Sequence, residues 1–288
     1  MGNLTPWVKL VRFEEYGPLF VFCGLVGAVY AGVGSAAGLA GLTAFIACFS
    51  ASAFVLNDIA DRHEDASAPA SRNPLATGEL GLGSGTALFA LLAAGSVGSL
   101  YFVPAPARYA APLVYGLYWG YSWGPGFKSR PGLDVVVHGS VPALFVLMGY
   151  ALYAPLSAGA AVVSGAVFCF AAMSGVLQGV RDLEKDSATR RSTPLALGSG
   201  RSVDLAVGLM GSGALLYGCA VLTGYLPPIM AALVPFSSAL ILPLLRLRSG
   251  RTGPEETIRV VRSRGMALAA GALCLYLLWA ANLVPLVL

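Results

Sequence analysis

Two acidic clusters each follow a long hydrophobic stretch, and they lie far apart in the chain. The first acidic cluster is residues 57–65 (NDIADRHED), and the second is residues 182–186 (DLEKD). Ionisable side chains at the edge of a membrane are energetically costly and usually functional. The two clusters together therefore predict a site for a divalent metal ion and a phosphorylated ligand where lipid meets water.

The spacing inside the clusters suits metal binding. If each helix continues through its cluster, residues four apart share one face. Two rows of candidate ligands result: Asn57, Asp61 and Asp65, then Asp182 and Asp186. Mg²⁺ prefers carboxylates, waters and substrate phosphates. The alternative is a solvated helix end with scattered charges, but carboxylates there oppose the helix dipole and repel one another at this spacing.

The composition is that of a membrane protein. The 288 residues are 57% hydrophobic and 11% charged, whereas soluble domains carry about 25% charged residues. Since a spanning helix needs about 20 mostly apolar residues, we expect one all-α domain, a bundle of nine transmembrane helices around a central cavity open to the cytoplasm, and no cleaved signal peptide. The expected spans are 16–35, 37–57, 82–103, 108–123, 134–154, 158–181, 203–223, 226–246 and 266–285.

The charges are distributed to one side of these spans. Every Lys and Arg except Arg108, and every Asp and Glu, falls on the same face. The positive-inside rule places that face in the cytoplasm. We therefore expect a cytoplasmic N-terminus and site, and a C-terminus outside. Nucleic-acid binding has no support, because no basic helix or aromatic RNA-binding motif is present. The five cysteines lie in expected spans without a CxxC pair, so they predict neither a disulfide framework nor a thiolate metal site.

A short repeat follows the two clusters. Residues 72–78 (RNPLATG) and 191–198 (RSTPLALG) both run from Arg through Pro-Leu-Ala to Gly. Two halves whose matching sites face one cavity are a common membrane-protein plan. The repeat therefore indicates an internal duplication.

Together these segments resemble the signatures of the UbiA-type intramembrane prenyltransferases. Residues 57–78 are similar to the family's first motif, and residues 182–194 to its second. Residues 121–128 (YSWGPGFK) resemble the Tyr-to-Lys loop between the motifs. The motif order and the expected spans also fit, so the resemblance covers essentially the whole chain.

The resemblance implies an enzyme that binds an isoprenyl diphosphate through Mg²⁺, ionises it and transfers the prenyl group to an acceptor. Carried over by position, the implied metal ligands are Asn57, Asp58, Asp61, Asp65, Asp182 and Asp186. The implied diphosphate contacts are Arg72, Lys128 and Arg191. Among these we expect Asp61, Asp182 and Lys128 to be catalytic, because metal ions and cations stabilise the charge that develops on a leaving diphosphate.

Several other polar and aromatic residues have two interpretations. Gln178 precedes Asp182 by one helical turn and could contact the substrate. Tyr115, Tyr118 and Tyr121 are three apart. They could form a wall that stabilises a cation, with Tyr121 catalytic and Tyr118 binding substrate. An interfacial aromatic belt explains them equally well. Asp134 and His138 could serve an acceptor, or they could be packed polar residues. His63 lies off the ligand row and is expected to be exposed.

Three functions remain open at this point. Transfer of the prenyl group to an aromatic or lipid-precursor acceptor is the leading hypothesis. A terpene cyclase on the same scaffold would use the same ionisation, but a double bond of the same chain would capture the cation. A transporter is the remote alternative, because its ionisable groups would be expected near the membrane midplane. The acceptor, the prenyl length and the pathway are not identified by any residue.

Overall fold

The chain folds as a bundle of helices. The computed structural model describes residues 5–32, 34–67, 71–183, 191–233 and 240–281. Within these ranges every regular element is a helix, which confirms the all-α prediction. The α-helices are α1 (Thr5–Val11), α2 (Phe13–Tyr30), α3 (Ala36–Ala66), α4 (Leu82–Ser99), α5 (Ala105–Arg108), α6 (Ala111–Ser122), α7 (Leu133–Ala151), α8 (Ala158–Arg181), α9 (Thr193–Leu222), α10 (Ile241–Arg248) and α11 (Pro254–Ala280).

Six helices in the described ranges are long and apolar enough to cross a membrane: α3, α4 with its 3-10 extension to Phe102, α7, α8, α9 and α11. The apolar part of α2, Tyr16–Tyr30, is shorter. The expected number of nine spans is not confirmed. The fourth expected span is α6, with only 12 residues. The eighth is divided between a 3-10 helix at Pro228–Leu233 and the 8-residue α10, and residues 234–239 lie outside the described ranges.

The centre of the bundle is aromatic. Phe45 and Phe49 of α3 and Phe145 of α7 are fully buried. The ring of Phe145 lies 5.8 Å from that of Phe49 and 6.4 Å from that of Phe45, both edge to face. This geometry is favourable for aromatic pairs beyond the area they bury. The cluster fixes α3 against α7, and these two helices carry polar groups of the site at their ends.

Small residues let α2 approach α7 closely. A Cβ at Gly27 would collide with the Val146 backbone, and one at Gly149 would collide with the Gly24 backbone. Glycine at such crossings allows two helix backbones to touch. α2 is thereby held against α7, and the two helices together form one wall of an apolar cavity described below.

The two acidic clusters differ in their relation to the helices. α3 has 31 residues, which is about 46 Å of helix and more than the hydrocarbon thickness of about 30 Å. Its last turns carry the first acidic cluster as continuous helix, as the ligand row requires. α8 instead ends at Arg181, with Asp182 as its C-cap. The expected row from Asp182 to Asp186 stays a prediction, because Asp186 lies outside the described residues.

Candidate active site

Three of the four carboxylates in the first acidic cluster are buried, and each of the three has a different partner. Asp58 Oδ1 accepts a hydrogen bond from Arg12 Nη2 at 2.7 Å. Asp61 Oδ1 accepts from Lys128 Nζ. Asp65 Oδ2 accepts from Asn73 Nδ2 at 3.1 Å. Three separate segments therefore converge on the last turns of α3 and compensate the repulsion between its stacked carboxylates.

The loop that carries Lys128 folds over this cluster. Gly124 and Gly126 have φ of 62° and 59°, a left-handed conformation that glycine adopts without steric cost. At the end of α6, Ser122 Oγ donates to Asn57 Oδ1 at 3.0 Å. The structure therefore brings together Asn57, Asp61 and Lys128, which the sequence singled out from separate motifs.

Arg12 is a site residue that the sequence did not identify. It lies between α1 and α2 in the left-handed region, with φ of 46°, a strained conformation for a residue other than glycine. Its guanidinium reaches the carboxylate of Asp58, which is only 1% exposed. The other oxygen of Asp58 is buried without a hydrogen-bond partner within the described residues. Asp58 is thus bound by the α1–α2 junction through Arg12.

In the second acidic cluster, Asp182 is the carboxylate that the structure describes, and it is more open than the buried carboxylates of the first cluster. The side chain of Asp182 is 34% exposed, and both of its oxygens accept from the adjacent Arg181, each at 2.7 Å. Within the described residues, no group of three or more His, Cys, Asp or Glu side chains is arranged as a metal site. The first cluster explains this result in part, because Lys128 and Arg12 hold its carboxylates as ion pairs.

A polar cavity of about 100 Å³ lies among the end of α6, the Lys128 loop, α7, the end of α8 and the start of α9. Its lining includes four of the predicted site residues: Tyr121, Lys128, Gln178 and Asp182. Asp134, His138 and Ser192 also line it. The cavity therefore joins the Tyr-to-Lys loop to the second acidic cluster, and Lys128 connects it to Asp61.

An apolar cavity of about 90 Å³ adjoins the polar one and shares Tyr121, His138 and Gln178 with it. Its remaining lining is mainly aromatic and aliphatic: Tyr16, Leu19, Phe20, Phe54, Tyr118, Val137, Val141, Pro142, Ala171 and Ser174. The ring of Tyr121 lies 5.1 Å from the imidazole of His138, edge to face. The two cavities can thus hold one ligand with a charged head and a hydrophobic tail.

Some predicted residues lie elsewhere. Arg72 and Arg191 are exposed and line neither cavity. Tyr115 does not join Tyr118 and Tyr121 at the cavities. Its ring packs 5.2 Å from Phe49 in the core, and its hydroxyl is hydrogen-bonded to Ser96. The spacing placed these tyrosines on one face but gave no information about where along the bundle axis that face opens into a cavity.

The two acceptor candidates on α7 have different roles. Asp134 accepts from the backbone N–H of Thr193 at 2.7 Å and from its hydroxyl, so its carboxylate joins α7 to α9. His138 Nδ1 lies 3.0 Å from the backbone oxygen of Asp134. A carbonyl oxygen can only accept, so Nδ1 carries the proton and Nε2 of the neutral imidazole is an acceptor. His138 therefore keeps a basic nitrogen at the junction of the two cavities.

The comparison with family models decides the assignment. The model of the UbiA prenyltransferase family matches residues 20–259. The chain belongs to this family. No curated protein matches the sequence. With the apolar helices, membership of the UbiA prenyltransferase family identifies the chain as an integral membrane protein.

Solved structures share the UbiA fold at low sequence identity. The apo structure of a UbiA homolog from Aeropyrum pernix K1 is 20% identical, with a TM-score of 0.77 over 92% of this chain and 98% of that one. A UbiA homolog from Archaeoglobus fulgidus bound to GPP and Mg²⁺ is 19% identical, with a TM-score of 0.75 over 94% of this chain and 99% of that one. A digeranylgeranylglyceryl phosphate synthase is 15% identical, with a TM-score of 0.70 over 94% and 99%.

Proposed function

We propose that this protein is a Mg²⁺-dependent prenyltransferase that ionises an isoprenyl diphosphate and transfers the prenyl group to an acceptor. The observation that carries the proposal is the pair of adjoining cavities. One is lined by Lys128, Gln178 and Asp182, and the other by aromatic and aliphatic side chains. Structural neighbours with the same fold bound to GPP or DMAPP and Mg²⁺ support it.

The donor set fits Mg²⁺. The amide oxygen of Asn57 and the carboxylates of Asp61, Asp65 and Asp182 are hard oxygen ligands, and Mg²⁺ completes its octahedron with waters and substrate phosphates. We also assign Asp186 to this set from the motif. Asp58 is assigned as the buried partner of Arg12 instead. When bound, the metal neutralises the diphosphate and stabilises it as a leaving group.

Lys128 then exchanges partners. In the structure its ammonium is paired with Asp61, where a metal ion would also be attracted. We infer that binding of the substrate moves the Lys128 ammonium to a diphosphate oxygen, which frees the Asp61 carboxylate for Mg²⁺. Arg72 and Arg191 are proposed as further diphosphate contacts. Because both are exposed, their side chains would have to turn toward the cavity when substrate binds.

The apolar cavity receives the prenyl chain. Burial of an isoprenoid tail contributes about 0.8 kcal/mol per CH₂ group. The ring faces of Tyr118 and Tyr121 attract positive charge, so they stabilise the allylic cation and help to exclude water. His138 Nε2 can take the proton that an acceptor loses. The aromatic lining also suits a terpene cyclase, which is the second candidate.

Product analysis distinguishes the two candidates. The purified protein is incubated with Mg²⁺ and diphosphates of graded chain length, with and without aromatic and lipid-precursor acceptors, and the products are identified by mass spectrometry. A transferase gives little hydrocarbon without acceptor and a prenylated adduct with the right one. A cyclic terpene formed in bulk without any acceptor would favour the cyclase. Absence of Mg²⁺-dependent diphosphate release under every condition would reject both.

The membrane orientation is part of the proposal. The distribution of Lys and Arg supports a cytoplasmic N-terminus, an active site on the cytoplasmic side and a C-terminus outside. A reporter fused after residue 288 tests this orientation. Reporter activity typical of the cytoplasm would require an even number of spans and would overturn the nine-span arrangement.

A further inference from the structure

Ser192 has a buried hydroxyl that the proposed mechanism does not use. We propose that Ser192 is a further diphosphate-binding residue, held in place by Asp134 acting through Thr193. The inference rests on the proposed function, since it names an additional contact for the same substrate. Ser192 lines the polar cavity together with Lys128 and Asp182.

The Ser192 hydroxyl lacks a partner. The residue is 7% exposed, and its Oγ makes no hydrogen bond within the described residues. Buried hydroxyl groups are nearly always hydrogen-bonded, so such an exception calls for an explanation. Ser192 lines the polar cavity, so a change of its side-chain rotamer would bring the buried hydroxyl to a ligand bound there and give it a partner.

The position of Ser192 in the helix makes the free hydroxyl more informative. Ser192 is the N-cap of α9, with φ of −85° and ψ of 168°. A serine in this position normally accepts a hydrogen bond from the second or third N–H of the helix. Ser192 makes no such bond. The sequence therefore places a capping residue here, and the structure leaves its oxygen available for another purpose.

Asp134 and Thr193 form a clamp that fixes the start of α9 without Ser192. Thr193 N donates to Asp134 Oδ2 at 2.7 Å, and Thr193 Oγ1 donates to Asp134 Oδ1. The same hydroxyl accepts from Gly132 N at 2.7 Å. This Asp134–Thr193 clamp uses both carboxylate oxygens, which compensates much of the negative charge that Asp134 would otherwise present to an anionic ligand.

A similar arrangement follows the first acidic cluster. Asn73 precedes Pro74 as Thr193 precedes Pro194, and Asn73 Nδ2 also binds an aspartate, Asp65. In each repeat the residue before the proline is therefore anchored to a buried carboxylate. The residue one position earlier is Arg72 in the first repeat and Ser192 in the second.

The chemistry of the cavity selects the ligand. Beside the carboxylates of Asp134 and Asp182, the lining offers three donors: the Lys128 ammonium, the Gln178 amide and the Ser192 hydroxyl. Phosphate oxygens accept hydrogen bonds from all three, and bonds to an ionised acceptor are short and strong. An uncharged acceptor molecule would use the lysine poorly. We therefore assign the Ser192 hydroxyl to a diphosphate oxygen.

The experiment measures the affinity for inorganic pyrophosphate with Mg²⁺, using the full-length protein in nanodiscs. Loss of a hydrogen bond to a charged group predicts binding about tenfold weaker in Ser192→Ala. Ser192→Thr keeps the hydroxyl and should remain within about twofold of wild type. Ser164→Ala is the control, because Ser164 is a buried serine that bonds the Ala143 carbonyl and lines neither cavity.

The outcomes separate the inference from the proposed function. If the wild-type protein binds pyrophosphate and Ser192→Ala binds it with the same affinity, the inference is overturned but the proposed function is not. Failure of the wild-type protein to bind pyrophosphate would overturn both. Equal weakening in Ser192→Ala and Ser164→Ala would also reject the assignment, since it would indicate a general effect of removing a buried hydroxyl.

A double-mutant cycle tests the clamp. Asp134→Ala should weaken pyrophosphate binding about tenfold in the wild-type background and less than about twofold in Ser192→Ala, because residues that act as a unit are not additive. Thermal stability of each variant, measured without ligand, reports the structural effect of the substitution separately. The same loss of affinity in both backgrounds would show that Asp134 does not act through Ser192.

Discussion

The two acidic clusters are chemically alike but are held very differently. In the first, Asp58, Asp61 and Asp65 are buried in continuous helix and bound by Arg12, Lys128 and Asn73 from three other segments. In the second, Asp182 is 34% exposed and bound by its own neighbour, Arg181. The described carboxylates of the first cluster are therefore held by contacts across the fold, whereas the Asp182 carboxylate is held by one exposed contact within its own segment.

The difference has an energetic meaning. A buried carboxylate that loses its charged partner is strongly destabilising, by about 3–5 kcal/mol. An exposed ion pair contributes about 0–1 kcal/mol. Arg181 can therefore release Asp182 at little cost when a metal ion and diphosphate arrive. The partners of the first cluster can be exchanged only if the incoming charge replaces them, as Mg²⁺ would do at Asp61.

The largest expected effect is a loss of diphosphate release, and it should be similar for the two clusters. Asp61→Asn and Asp182→Asn should each lower diphosphate release by at least about 10²-fold, because each removes a group that stabilises the developing charge. Chelation of Mg²⁺ should give a similar loss that is reversed by added metal. Asp204→Asn is the matched control, since Asp204 is an exposed aspartate that is paired with Arg248 and lines neither cavity. Substantial turnover in either site variant, or in excess chelator, would contradict the metal assignment.

The two clusters should differ in their effect on the free energy of unfolding, although they have similar effects on activity. Arg12→Ala leaves the Asp58 carboxylate buried without a cation and should cost about 2–4 kcal/mol of unfolding free energy. Arg181→Ala removes the corresponding arginine of the second cluster and should cost less than about 1 kcal/mol. Thermal or denaturant unfolding in detergent measures both. Similar losses in the two variants would mean that the second cluster is as tightly organised as the first.

Lys128 connects the first acidic cluster to the polar cavity. Its removal should have an intermediate effect on activity. Lys128→Ala should raise KM for the prenyl diphosphate about tenfold, since one charge-assisted contact among several is lost. It should also increase the stabilisation by Mg²⁺ in the absence of substrate, because the metal no longer competes with the ammonium for Asp61. Lys9→Ala is the control: Lys9 is exposed and paired with Glu79. A Mg²⁺-induced shift in Tm equal to that of wild type would contradict the exchange of partners.

The sequence predicted the convergence of the motifs better than their local geometry. Helical periodicity placed Asn57 and Asp61 on one face, and the resemblance to the family's motifs added Lys128 to the same site; the structure brings the three residues together. Arg12 was missed, because an arginine before a first span looks like any other positive charge on the cytoplasmic side. Ser192 did not stand out for a related reason: a serine before a helix normally caps it, and only the structure shows that this one makes no capping bond.

The smallest expected effect is a change in KM, and it tests most directly whether the two clusters are held differently. Arg181→Ala deletes both hydrogen bonds that Asp182 receives in the structure. If Asp182 leaves Arg181 when metal and substrate bind, this ion pair is absent from the bound state. Removing it by mutation should then lower KM for the prenyl diphosphate by less than about threefold. Steady-state kinetics with Mg²⁺ in excess measure the change. A large rise in KM would show that Arg181 itself binds the diphosphate. Its pair with Asp182 would then exist only in the absence of substrate, and Arg181 would have the same role in the second cluster as Lys128 has in the first.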